Sequence, residues 1–177
     1  PGELLVLETG QRIVYPNGPI VDQPSVGTDS RGNLHVSWTD SREGNNEIFY
    51  KMLTSNGSVL IDDTRLTNAP DNSMRPEIAI DANDRVHLVW HDRRLGNSQV
   101  FYKQINPGLD DQNGNAANPA AITTVNDTHV SNNSRNELNN RDEHPVLALD
   151  NNGDVHVAWE RNGDESIGYA KLAGNGT

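Results

Sequence analysis

Short runs of alternating apolar and polar residues recur along this chain, separated by segments rich in Asn and Gly. Leu34, His35, Val36, Ser37 and Trp38 form one such run. Its period of two is that of a half-buried β-strand, not of a helix. A strand is predicted at residues 25–29. A turn follows in which Gly32 supplies the left-handed conformation, and a second strand runs through His35 and Trp38. A loop carrying Asp40, Arg42, Gly44 and Asn45 leads to a third strand from Glu47 to Lys51, and a fourth is expected over residues 59–66.

The same order of residues returns twice. Pro76, Asp81, His87, Trp90, Asp92, Arg94, Gly96, Tyr102 and Lys103 repeat it, with Asp84 in place of the turn glycine and a fourth strand expected over residues 121–130. Pro145, Asp150, Gly153, His156, Trp159, Arg161, Gly163, Tyr169 and Lys171 repeat it again. Trp38, Trp90 and Trp159 stand 52 and 69 residues apart, the longer step reflecting an Asn-rich stretch between residues 106 and 140. A fixed period of this kind decides the fold class. The expectation is an all-β domain of β-propeller type, with three four-stranded antiparallel blades at about 24–68, 76–131 (with a polar insertion at 106–120) and 145–174. The third unit has no fourth strand of its own. Residues 1–20 have strand character in Leu4–Leu7 and Ile13–Tyr15 and are expected to complete the last blade, in this chain or in a neighbouring one. Three blades fall short of the four to eight of known rings, so an inter-chain closure or a longer parent protein is expected. The absence of an initiator Met points the same way, towards a mature product or an excised piece.

The Asp-x-x-Gly turn, the Val/Leu-His-Val/Leu-x-Trp strand, the Asp-x-Arg-x-Gly-Asn loop and the Phe-Tyr-Lys strand resemble the blade repeats of sialidase-like (BNR/Asp-box-related) propellers of secreted bacterial surface proteins. The sialidase Asp-box is approximated, with Asp29 and Asp150 three residues before Gly and His in place of Thr. The resemblance implies an extracellular or cell-surface location. The expected strand order puts the loop after the Trp strand and the connection entering each unit on one rim, which would carry Asp40, Arg42, Asp92, Arg94, Glu160 and Arg161 with Gln23, Arg75 and His144. In sialidases an arginine cluster grips the substrate carboxylate. Arg42, Arg94 and Arg161, with Asp40 and Asp92, are the ligand-binding candidates on that analogy. Repetition in every unit favours a simpler role, each Asp-x-Arg pair organising its own loop.

Composition narrows the function further. A net charge of −11 with 14 basic residues excludes a phosphate-backbone partner. No apolar run is long enough to span a membrane as a helix. With no cysteine, there are no disulfides, thiol nucleophiles or zinc–thiolate sites. His35, His87 and His156 occupy equivalent places in separate units and are expected to make hydrogen bonds within or between blades; the tryptophans are expected to be core anchors. Asp110, Asp111 and Asn113 make calcium the one candidate cofactor, although a glycine that comes too early and the lack of a closing Glu break the EF-hand pattern. Asn56, Asn126, Asn132 and Asn175 begin glycosylation sequons. The function expected is a non-catalytic extracellular propeller module for binding or assembly through protein contacts and strand exchange. Its partner would be itself or another propeller segment. The alternative is a sialidase-like glycoside hydrolase or carbohydrate-binding propeller with a glycan ligand.

Overall fold

The computed structural model describes residues 20–107, 126–131, 141–163 and 165–174. Strands β1 (Val21–Thr28), β2 (Leu34–Asp40), β3 (Glu47–Leu53) and β4 (Val59–Arg65) form one antiparallel sheet in sequence order. The second sheet holds β5 (Ser73–Ile80), β6 (Val86–Leu95), β7 (Asn97–Ile105) and the short β8 (Thr128–His129). The third holds β9 (Asp142–Leu149), β10 (Val155–Arg161) and β11 (Ser166–Leu172). The described residues contain no helix. They give the third sheet three strands where four were expected, because the anticipated closing strand at 1–20 lies outside them.

The turn that opens each unit is built by its aspartate. Asp29 accepts hydrogen bonds from the backbone N–H of Arg31 and Asn33 at 2.9 and 2.8 Å. Asp81 does the same for Asn83 and Arg85, and Asp150 for Asn152 and Asp154. A carboxylate that caps two amides this way lets the chain reverse at Gly32, Asp84 and Gly153, which have φ of 79°, 60° and 81°.

The first strand of each sheet starts earlier than the pattern suggested. The prolines at 24, 76 and 145 looked like strand beginnings, yet the ladders extend upstream to Val21, Ser73 and Asp142. The residues before the prolines explain it. Gln23, Arg75 and His144 adopt left-handed φ of 55°, 55° and 52°. The register shifts there, between Asp22 and Ser25 and between Met74 and Glu77. A bulge of this kind accommodates proline inside a strand, where a regular ladder would need its N–H.

The sheets stack face to face in chain order, β5 lying against β1, β2 and β3, and β9 against β5, β6 and β7. Ile48, Tyr50 and Met52 of the first sheet pack against Leu88, Trp90 and Phe101 of the second. Val89, Val100 and Tyr102 on the opposite face of the second sheet meet Val155, Val157 and Trp159 of the third. Equivalent positions therefore point the same way in every unit, and each sheet uses one face towards its predecessor and the other towards its successor. Trp38 and Trp90 stack on their cross-strand neighbours Phe49 and Phe101 at 6.1 Å. Trp159 instead faces Gly168 across the ladder, and a Cβ at Gly168 would fall within the indole. The third sheet has thus exchanged an aromatic stack for a glycine on which the ring lies flat. Gly168→Ala is expected to destabilise by about 1–3 kcal/mol through overpacking, seen as a lower urea midpoint at unchanged slope; an unchanged midpoint would show that the indole has room to move.

Candidate functional site

The Asp-x-Arg loops follow directly from the end of the Trp strand. Asp40 is fully buried and accepts from Trp38 Nε1 at 3.0 Å and from the backbone N–H of Arg42 at 2.8 Å. The Arg42 guanidinium returns to Asp40 and reaches Asp63 at 2.8 Å, lying 4.7 Å from the Phe49 ring centre. Asp92 and Arg94 reproduce this with Trp90, Asp127 and Phe101. Burial would depress the pKa of both arginines, but hydrogen bonds to the paired aspartates overcome it and raise it. Lys51 and Lys103 complete these charge clusters at Asp63 and Asp127. Both guanidinium groups are thus directed into carboxylates of their own sheet. Arg161 differs. It stands two residues after Trp159, at the position of Asp40 and Asp92, and pairs with buried Asp142 at 3.4 Å. The structure therefore does not bring Arg42, Arg94 and Arg161 together as three equivalent arms of one clamp; each lies with its own sheet.

The histidines join a second repeated unit. The hydroxyls of Tyr50, Tyr102 and Tyr169 donate to Nδ1 of His35, His87 and His156 at 2.7, 2.8 and 2.7 Å. Nε2 of each ring faces the turn aspartate: Asp29 at 3.6 Å, Asp81 at 3.4 Å and Asp150 at 3.2 Å. Burial lowers the pKa of His35 and His87, with the aspartates pulling the other way. These units tie each turn to the third strand. Among the described residues no group of three or more His, Asp or Glu side chains is placed to hold a metal, and Asp110, Asp111 and Asn113 lie outside them.

What differs between units converges at one place. Gln23, Arg75 and His144, the left-handed residues of β1, β5 and β9, line an open depression of about 200 Å³ with Pro24, Pro76 and Pro145 and with Glu77 and Val146. Its floor is laid by the residues that follow the tryptophans. Thr39 Oγ1 donates to Gln23 Oε1 at 3.2 Å, and the Arg75 N–H reaches Thr39 Oγ1 at 3.0 Å and Gln23 Oε1 at 3.1 Å. One unit further on, the His144 N–H donates to His91 Nδ1 at 3.4 Å. His144 Nδ1 in turn contacts Glu160 Oε2 at 2.7 Å. Burial pushes the His91 pKa down to about 4; Glu143 pulls it up, and His144 and Arg75 push it further down. The Arg75 side chain is exposed and has no ion pair among the described residues. Three unlike side chains, donor, cation and imidazole, thus share one mouth. The sequence places all three on one rim, each as the residue before the proline of its unit, but the ligand-binding candidates drawn from it were the Asp-x-Arg residues instead.

No family model and no curated protein matches the sequence. Solved structures do match. An intramolecular trans-sialidase from Ruminococcus gnavus, in complex with oseltamivir carboxylate, is similar over 94% of this chain with 9% identity and a TM-score of 0.55. A leech intramolecular trans-sialidase, complexed with 2,7-anhydro-Neu5Ac, is similar over 85% with 12% identity and a TM-score of 0.51. The chain spans 36% and 23% of those two proteins. The likeness is one of fold: three antiparallel sheets arranged as in part of a sialidase-like structure. No helix among the described residues is long and apolar enough to cross a membrane.

The buried histidines give the fold a pH limit. His35, His87 and His91 are neutral in the folded chain with pKa lowered from 6.5, while the unfolded chain takes up protons near that value. Stability is then level above about pH 7 and falls as pH drops below 6.5, each histidine adding about 1.4 kcal/mol per pH unit until its folded-state pKa is reached. For His91 that window runs down to about 4. Denaturant midpoints measured from pH 8 to 4 should fall accordingly, and His91→Gln should flatten the slope by one proton's worth; equal stability at pH 7.5 and 5 would contradict it.

Proposed function

We propose that this chain is a segment of a sialidase-like β-propeller that binds, without cleaving, an acidic sugar in the depression between Gln23, Arg75 and His144. The observation that carries this reading is the convergence there of three different side chains, each on a left-handed residue of a different sheet. Strained backbone that recurs at one mouth is a mark of a functional site. The repeated Asp-x-Arg and His–Tyr–Asp units serve stability in this reading, because identical groups in every sheet cannot divide the tasks of recognition. Arg75 supplies a guanidinium not engaged by a carboxylate among the described residues. Gln23 and His144 flank it with groups suited to sugar hydroxyls. The two trans-sialidases were solved with a carboxylate inhibitor and a sialic-acid derivative, which favours an acid-bearing sugar as the ligand class. An extracellular or cell-surface location belongs to the same proposal.

A second reading, assembly with itself or another propeller segment by strand exchange, is favoured by β11, which has no fourth strand beside it among the described residues.

Titration with sialyllactose, followed by calorimetry or by ligand NMR, tests the binding site. Arg75→Ala should weaken binding about tenfold or more, the cost of one charge-assisted hydrogen bond of roughly 1.5–3 kcal/mol, at an unchanged melting temperature. Arg94→Ala should lower the melting temperature and leave the affinity of the folded fraction intact. A wild-type chain that binds no acidic sugar, or an Arg75→Ala chain that binds as well, would overturn the reading.

A further inference from the structure

Among the described residues the first and third sheets each leave one face uncovered, and those two faces are the two halves of a contact the molecule already makes twice. In each unit the side chains of one set point towards the preceding sheet. Ile78 of the second sheet does so at 6% exposure, and Leu147 of the third packs on the core of the second. Their counterpart in the first sheet, Val26, faces no other sheet among the described residues and is 63% exposed. Beside it lies an apolar depression of about 260 Å³ lined by Val21, Pro24, Val36, Trp38 and Leu53, together with Asp22 and Lys51. Leu88, the equivalent of Val36, is 1% exposed under the first sheet.

The other set points towards the following sheet. Ile48 and Val100 are fully buried there, and Tyr50 and Tyr102 are 1% and 0% exposed. Their counterparts on the third sheet, Ile167 and Tyr169, are 70% and 61% exposed, joined by Val146 at 56%. Four of the seven large apolar side chains exposed among the described residues thus lie on these two faces. Exposed apolar surface concentrated in patches marks an interaction site.

We infer that the uncovered face of the first sheet receives the uncovered face of the third sheet of a second copy of this chain. The occupant is argued from complementarity. The first sheet lacks the partner that the second and third sheets already have, and the third sheet offers the same Ile/Val–Tyr face that fills that place in both contacts within the chain. The arrangement is head to tail. If the step between copies repeats the step between sheets, two copies close a ring of six sheets, within the four to eight that propellers adopt. Pro24 and Val146 border both the sugar depression and this contact, but Val26 and Ile167 lie outside the depression and Arg75 outside the contact, so sugar titration of Arg75→Ala and association of the Val26 and Ile167 variants report on them separately.

Val26→Glu and Ile167→Glu place a charge on one face each, at positions exposed enough to leave the fold intact, which unchanged far-UV circular dichroism and melting curves verify. In sedimentation of the full chain, the wild type should double in mass from 19.5 kDa. Each variant alone should lose that doubling, because every contact it could make includes the altered face. An equimolar mixture of the two variants should regain it, since the intact third sheet of one meets the intact first sheet of the other. A wild type that remains at 19.5 kDa at hundreds of micromolar, a variant that still doubles, or a mixture that stays monomeric would each overturn the inference.

Discussion

One backbone N–H in each of the second and third units governs both how the sheets join and where the site opens. At the left-handed residue before proline the bulge withdraws this N–H from its own ladder, and a buried amide must find another acceptor. It finds it in the preceding sheet. The Arg75 N–H is shared by Gln23 Oε1 and Thr39 Oγ1, and that of His144 turns to His91 Nδ1. Holding a non-glycine residue at φ near 55° costs of order 1–3 kcal/mol, so this conformation persists because the contact between sheets fixes it. The same turn of the backbone sets Gln23, Arg75 and His144 around one mouth. Sheet docking and site geometry therefore depend on one local distortion.

Much of this was legible in the sequence, and the remainder has identifiable reasons. The period-two runs, the Asp-initiated turns and the alignment of His, Trp and Tyr located the strands, because each of those residues does the same physical work in every unit. Proline concealed the strand starts: the rule that it lacks a ladder N–H holds, and the bulge is how the strand satisfies it. Arg161 was grouped with Arg42 and Arg94 by residue type, although its distance from Trp159 places it opposite Asp142 as Asp92 stands opposite Ser73. Gln23, Arg75, His144 and Glu160 were legible as neighbours on one rim. That Thr39 and His91 join them, and how these side chains bond to one another, is set by how the sheets stack.

Repetition and difference also divide the polar interior. Asp40 and Asp92 each draw a tryptophan N–H, a backbone N–H and a guanidinium, enough to keep a fully buried carboxylate compensated. Ser73 Oγ adds a link between sheets, 2.8 Å from Asp92 and 3.2 Å from buried Glu47. Its single proton serves the nearer carboxylate, while Glu47 is held by the Arg65 guanidinium and the Ala69 N–H. These groups are satisfied within the sheets and have little left to offer a ligand. Arg75 is exposed and Glu160 meets His144 at the rim, so polar side chains open to solvent stand where the units diverge.

The third sheet shows how far a repeat can drift when its outward face is not pressed by a neighbour of the same chain. Its Tyr169 keeps the bond to His156, yet both are solvent-accessible, whereas the equivalent Tyr102–His87 pair is sealed. A hydrogen bond gains most from a dry environment, and no other sheet among the described residues supplies one here. The residues on this face nevertheless remain Ile167, Tyr169 and Val146, where exposure to water alone would favour polar substitutes. An apolar face retained in the open, with its hydrogen-bonding pair already formed, has the composition of the covered faces beside it.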